Sequence, residues 1–352
     1  MAGQGILGSE LVRLPVKISN KNQQTRKNPK MSPSTFSKYS WAVVIYNLLV
    51  ILWGAFVRAT GSGAGCGSHW PLCNGEVLPQ NPQVETMIEF AHRISSGLVI
   101  PLVIVLIFFA FRLYTKGSLV RKAAFFSVLF TITEALFGAA LVLLELVGDN
   151  DSIHRAFMMM IHLINTFLLL AALSLTAWWS SVGPPKKMTR PKTIGGLLIL
   201  GIVGMIVLGA SGAVTALGDT LFPATSLIEG IREEFSAEAH ILLRLRIFHP
   251  GIAIGVGVYL IGLGIYLHRQ ARESKYRRII SAMVGLYLVQ LMLGVVNVIL
   301  LAPIWMQLIH LLVSDFIWIA LILTTELFFS ARVALQGTPH HVIHDRVGDA
   351  TA

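Results

Sequence analysis

The sequence predicts an all-α membrane protein of eight transmembrane helices, arranged as two pseudo-symmetric four-helix bundles. Three observations predict it. Apolar residues make up 54% of the 352 positions and charged residues 13%, with a mean hydropathy of +0.69. Charged residues are roughly a quarter of a typical soluble chain, so this surface cannot be wetted and faces lipid. Eight apolar runs near 20 residues recur along the chain, the length that crosses a bilayer core of about 30 Å. The first four runs resemble the last four. These features exclude a soluble enzyme, a disordered chain and a secreted disulfide scaffold.

The spans fall near 38–58, 87–111, 123–146, 155–180, 193–214, 245–267, 279–301 and 305–330. Their orientation follows from the basic residues. The N-terminal segment carries Arg13, Lys17, Lys21, Arg26, Lys27, Lys30 and Lys38. The second connection carries Arg112, Lys116, Arg121 and Lys122, and the fourth carries Lys186, Lys187, Arg190 and Lys192. The sixth adds Arg269, Arg272, Lys275, Arg277 and Arg278, and the tail Arg332 and Arg346. Together they hold 22 of the 28 Lys and Arg residues. The positive-inside rule then puts both termini in the cytoplasm and the odd connections outside. The net charge of +10 is topological, and no nucleic-acid partner is expected; the bilayer is the partner. The first 40 residues hold one acid, Glu10, and Lys outnumbers Arg five to two. That favours a cytoplasmic flank of the first span over an Arg-rich mitochondrial transit peptide.

Five segments follow: a basic extension at 1–37, an N-terminal bundle at 38–180, a linker at 181–192, a C-terminal bundle at 193–330 and a tail at 331–352. Gly54-Ala55 and Thr60 match Gly209-Ala210 and Thr215 at an offset of 155. Gly138 pairs with Gly294, Ile161-His162-Leu163 with Ile309-His310-Leu311, and His92 with His249. Four spans per unit means that both units start inside and run the same way. The repeat is therefore parallel, with its axis along the membrane normal, unlike an inverted-repeat transporter.

Of 11 histidines, four lie within spans: His92, His162, His249 and His310. Each follows the start of an even-numbered span by four to seven residues, roughly 6–11 Å deep at 1.5 Å per residue. A lone intramembrane histidine is commonly a hydrogen-bonded helix contact. Two pairs at one depth suit heme, because helical bundles build cofactor sites from facing helices and heme takes two axial imidazoles. The halves then diverge. Glu89 lies one turn before His92, and Arg246 occupies the corresponding place before His249. A carboxylate there suits acid–base work or stabilisation of positive charge, although a helix-start carboxylate in solvent has the same sequence signature. Arg58, Arg93, Arg244 and Arg246 are candidate propionate partners, and arginines at this depth also snorkel. Glu134 and Asp315 are costly intramembrane acids with no evident role. The cysteines, Cys66 and Cys73, share the first external loop; a stiffening staple and a redox-active pair are both open.

These residues carry a resemblance. The segments GAFVRATGSGAGCGSHWPLCNG, Glu89-Phe-Ala-His92-Arg93, GASGAVTALGDTLFP, RLRIFHPG and the two IHL units resemble the heme A synthase family, over about residues 40–330. The cysteine pair is similar to the bacterial branch. The resemblance implies oxidation of a methyl group of heme O to the formyl group of heme A by successive hydroxylations, with water lost from a gem-diol. It implies a heme b cofactor on His249 and His310, which passes electrons onward. It places the substrate heme against His92 and His162, makes Glu89 the catalytic carboxylate, and joins Cys66 to Cys73 as a disulfide. Heme O synthase and cytochrome oxidase assembly factors are the partners implied, and a homo-oligomer is left open. A di-heme b-type quinone oxidoreductase subunit is the runner-up; it would use the same histidines without Glu89. A heme-handling protein without chemistry is a third reading.

Overall fold

The computed structural model describes residues 31–185, 192–271 and 273–330. The start of the basic extension, the linker lysines Lys186 and Lys187 with Arg190, Arg272, and the 331–352 tail lie outside the described residues. Among the described residues, eight helical segments are long and apolar enough to cross a membrane. The chain is a multi-pass membrane protein.

The helices are α1 (Pro33–Ala59), α2 (Val84–Leu113), α3 (Leu119–Leu143), α4 (Ile153–Val182), α5 (Lys192–Leu221), α6 (Leu227–Glu234), α7 (Ile241–Arg246), α8 (Phe248–Gln270), α9 (Ser274–Ile299) and α10 (Ile304–Phe329). Local chemistry sets several starts. Ser32, Ser118 and Ser152 cap α1, α3 and α4 by accepting a backbone N–H, and Pro33 opens α1, where its missing N–H costs nothing.

Two elements depart from the expected spans. The sixth span is divided at Ile247 into α7 and α8. Pro250 has no N–H to offer the carbonyl four residues back, that of Arg246, and its ring crowds that carbonyl. The ladder breaks there. Helix α6 was absent from the expected elements, yet Ser226 followed by Glu229 is a capping signature, and the Ser226 hydroxyl accepts the Glu229 N–H at 3.2 Å.

Helices α1 to α4 pack on one another in sequence and α4 closes back on α1, while α8 packs on α5 and α9, and α10 on α5 and α9. Between these sets, α4 packs on α5 and α10, and α1 on α10. Accordingly α4 and α10 are the most buried spans, and α3 and α9 the least. Phe167 stacks on Trp318 with centroids 4.7 Å apart, and the Trp318 indole donates to the Phe167 carbonyl at 2.7 Å. Lower on the same seam, Glu326 accepts from the indoles of Trp178 and Trp179 at 2.8 and 2.9 Å. An intramembrane acid is tolerated there because both oxygens have donors.

Candidate functional site

The first external loop folds onto the start of α2. Cys66 and Cys73 are joined in a disulfide and both are buried. The Asn74 N–H donates to the Cys66 carbonyl at 2.9 Å, and the Thr86 hydroxyl donates to the Gly65 carbonyl at 2.7 Å. The loop therefore rests on α2 through backbone contacts. Its underside meets Glu89, where the Cys66 N–H donates to Oε2 at 2.8 Å. Arg93, one turn along, donates to Oε1 from Nε at 3.1 Å and from Nη2 at 2.5 Å. Its Nη1 donates to the carbonyls of His69 and Leu72. Glu89 is only 3% exposed, so it is not a helix-start carboxylate in solvent. It is buried under the loop, and Arg93 ties loop, helix and carboxylate together.

Gly65 makes this approach possible. A Cβ there would lie 2.5 Å from the Glu85 carbonyl carbon, a backbone atom that cannot rotate away. Gly65→Ala is expected to lift the loop and cost about 1–3 kcal/mol, the usual range for overpacking, with Cys66 and Cys73 becoming reducible by mild thiols. Thermal denaturation in detergent and thiol labelling check this. Gly97→Ala is the neutral control, because a Cβ there meets nothing within 4 Å.

The four histidines follow the first residues of their helical spans, Val84, Ile153, Ile241 and Ile304, by eight, nine, eight and six positions. Glycines on neighbouring helices leave room for three of the rings. A Cβ would stand 3.0 Å from His92 at Gly54, 3.1 Å from His249 at Gly212 and 3.4 Å from His310 at Gly294. Gly209, the sequence counterpart of Gly54, instead abuts Phe167 and Leu163. Gly138, the counterpart of Gly294, faces open space. Gly212 and Ser211 were missed in the sequence; the Ser211 hydroxyl lies 2.9 Å from His249 Nδ1. The Nδ1 atoms of His92, His162 and His310 are buried without a hydrogen-bond partner among the described residues.

The other candidate arginines have protein partners. Arg58 crosses from α1 to donate to the Ala216 carbonyl, Thr220 and Gln307 on α5 and α10 at 2.5, 2.5 and 2.8 Å. Arg246 pairs with Asp219 at 2.9 Å and with Glu234 of α6 at 2.6 Å. Arg244 donates to the Ala237 carbonyl. Glu134, without a role in the sequence, accepts from Asn165 and Thr166 beside His162. Both carboxylate oxygens of Asp315 are buried with no partner among the described residues.

Four histidines on membrane-spanning helices, one of them a turn from a buried carboxylate under a cystine loop, define a multi-pass membrane protein with a polar site among its helices. The chain belongs to the COX15-CtaA family, described as cytochrome oxidase assembly protein, whose family model matches residues 37–322. It is 46% identical over 321 residues to a Thermus thermophilus protein named protoheme IX farnesyltransferase, covering 90% of this chain and 53% of that one. It is 45% identical over 104 residues to the heme A synthase of Alkalihalophilus pseudofirmus, covering 30% of this chain and 35% of the relative. Against a Bacillus cereus heme A synthase it is 44% identical over 105 residues, 29% and 34% of the two chains. The match thus spans about half the length of the Thermus relative and about a third of the others.

Proposed function

We propose that this chain is a heme A synthase that oxidises a methyl group of heme O to a formyl group. The observation that carries this reading is the buried Glu89 carboxylate, held by the Cys66 N–H and Arg93 one turn before His92. An electron-transfer protein with two equivalent hemes has no use for it. The heme A synthase relatives support the same reading. The transferase name belongs to a protein of which this chain matches about half, and it is not carried over.

The residues present fit heme. Two of the three orphaned, buried Nδ1 atoms, those of His92 and His310, sit on rings whose neighbours are glycines, and a glycine also leaves room for the ring of His249. This is the room that a ring ligated through Nε2 requires, and each remaining N–H can take an outer partner. In this proposal His249 and His310 hold a heme b, and His92 and His162 contact heme O. Heme b, when bound, carries electrons away from the substrate site. Arg93 fixes the rotamer of Glu89, and the loop excludes water above it. The carboxylate is then poised to take a proton from the methyl being oxidised, or to stabilise positive charge at the ring edge. Arg58 and Arg246, already paired at the outer end of the second histidine pair, supply positive charge for propionates. Heme O synthase and oxidase assembly factors are the partners that this activity calls for. In a bacterial inner membrane both termini are cytoplasmic and the cystine loop external.

Extraction of heme from the purified protein, with mass analysis, tests the function. Heme O or heme A together with heme b is expected; heme b alone at both sites overturns the reading. Single engineered cysteines in intact cells test the topology. An impermeant reagent should label the loop after α1 and spare 186–192, and labelling at 186–192 would reverse the orientation.

A further inference from the structure

We propose that Glu134 is a positioning residue for the N-terminal site. Its carboxylate takes the Nδ1–H of His162, turns Nε2 towards the substrate iron, and makes this imidazole the most electron-donating of the four. The inference rests on the reading that His162 contacts the substrate heme.

The placement of Glu134 is the starting point. Its Oε1 lies 3.6 Å from His162 Nδ1, within ion-pair range and just outside hydrogen-bond distance. That Nδ1 is buried and has no other partner among the described residues. The carboxylate does not wander. Asn165 donates to Oε2 at 2.5 Å, and the Thr166 hydroxyl donates to Oε1. Asn165 is in turn held by Thr133 at 2.7 Å and by the Phe130 carbonyl at 2.9 Å. An acid on α3 is thereby clamped by two residues of α4, the helix that bears His162. The two donors satisfy both oxygens of the carboxylate inside the membrane and hold it beside His162.

Among the described residues, the other three intramembrane histidines have no such neighbour. His249 Nδ1 faces the neutral Ser211 hydroxyl at 2.9 Å, and the Nδ1 atoms of His92 and His310 are orphaned. The repeat sharpens the contrast. Glu134 precedes Gly138 by four residues, and the residue four before Gly294 is Gln290. Gln290 is neutral and donates to the His310 backbone carbonyl at 2.9 Å. The duplicated position thus carries a carboxyl group in one half only and an amide in the other. An anionic acceptor on a ligating imidazole raises its basicity, fixes its tautomer and orients the ring, and loss of such a partner costs 10- to 100-fold in affinity or activity. The donation strengthens binding of ferric iron over ferrous, so the N-terminal site holds its iron at a lower potential than a neutral partner would.

Two readouts test this on the full chain. In the heme-free protein, nitrogen NMR of labelled histidine should find His162 protonated at Nδ1. Glu134→Gln should abolish that preference, and Glu134→Asp should restore part of it. In protein reconstituted with ferric heme O, the redox wave removed by His162→Ala should rise in Glu134→Gln while the other wave stays in place. A 10- to 100-fold change in relative affinity corresponds to about 60–120 mV for one electron. An unchanged His162 tautomer in Glu134→Gln, or equal movement of both waves, overturns the proposal. If His162→Ala removes neither wave, the substrate-heme reading of His162 fails, and the tautomer measurement still decides the contact with Glu134.

Discussion

Glu89→Gln is expected to lower heme A formation by about 10²- to 10³-fold, the scale of a lost charge-stabilising or proton-transferring group. The substitution keeps the shape and deletes the charge. It also introduces an amide N–H₂ between the Cys66 N–H and the Arg93 guanidinium, which both donate to this carboxylate, so one pair of donors must face each other. Arg93 keeps its bonds to the His69 and Leu72 carbonyls, so the loop stays anchored. The variant is expected to fold, to retain the heme on His249 and His310, and to bind heme O without converting it. Glu89→Asp should recover part of the turnover, limited by reach. The check is the heme O to heme A ratio by chromatography, read beside the resting spectrum and the melting temperature. A yield within twofold of the parent would remove Glu89 from the chemistry. Loss of the resting spectrum in step with turnover would reduce it to a structural tie.

The second large effect is expected at the other pair. His249→Ala or His310→Ala should abolish the b-type absorption of the resting protein, because each removes one of the two imidazoles that would hold the heme. His92→Ala should leave that spectrum largely intact and stop turnover. Optical spectra of purified variants decide it. If the His92 and His249 variants lose the same heme to the same extent, the division of labour between the halves is wrong.

Much of the site was legible in the chain, and the reason differs by residue. The similar placement of His92, His162, His249 and His310 along their spans follows from counting along apolar runs, and the helical spans carry them six to nine positions past their first residues. Glu89 stood out by its spacing from His92, but its burial was invisible. The loop that covers it comes from 23 residues earlier, and no local pattern reports which way that loop folds. Glu134 was visible only as an expensive acid; its purpose appears once α3 and α4 bring it to His162. The repeat misled in one respect. Gly54 and Gly209 occupy matching positions, yet Gly54 receives His92 whereas Gly209 receives Phe167 and Leu163 from α4. The ring of His249 rests on Gly212 instead, because α5 lies on the seam between the two sets of helices and its earlier glycine is used there.

The sequence by itself determined the number of spans, their expected orientation and the level of the histidines. Those are one-dimensional quantities, governed by transfer of each segment into lipid and by a fixed rise per residue. Only the tertiary structure decided which polar groups meet. It set the Cys66 N–H and Arg93 on Glu89, brought Glu134 to His162, and sent Arg58 across to residues 158 and more positions away. Inside a membrane a polar side chain is costly without a partner, and many partners could have served each of them. The choice was made by how the helices pack, which hydropathy does not encode.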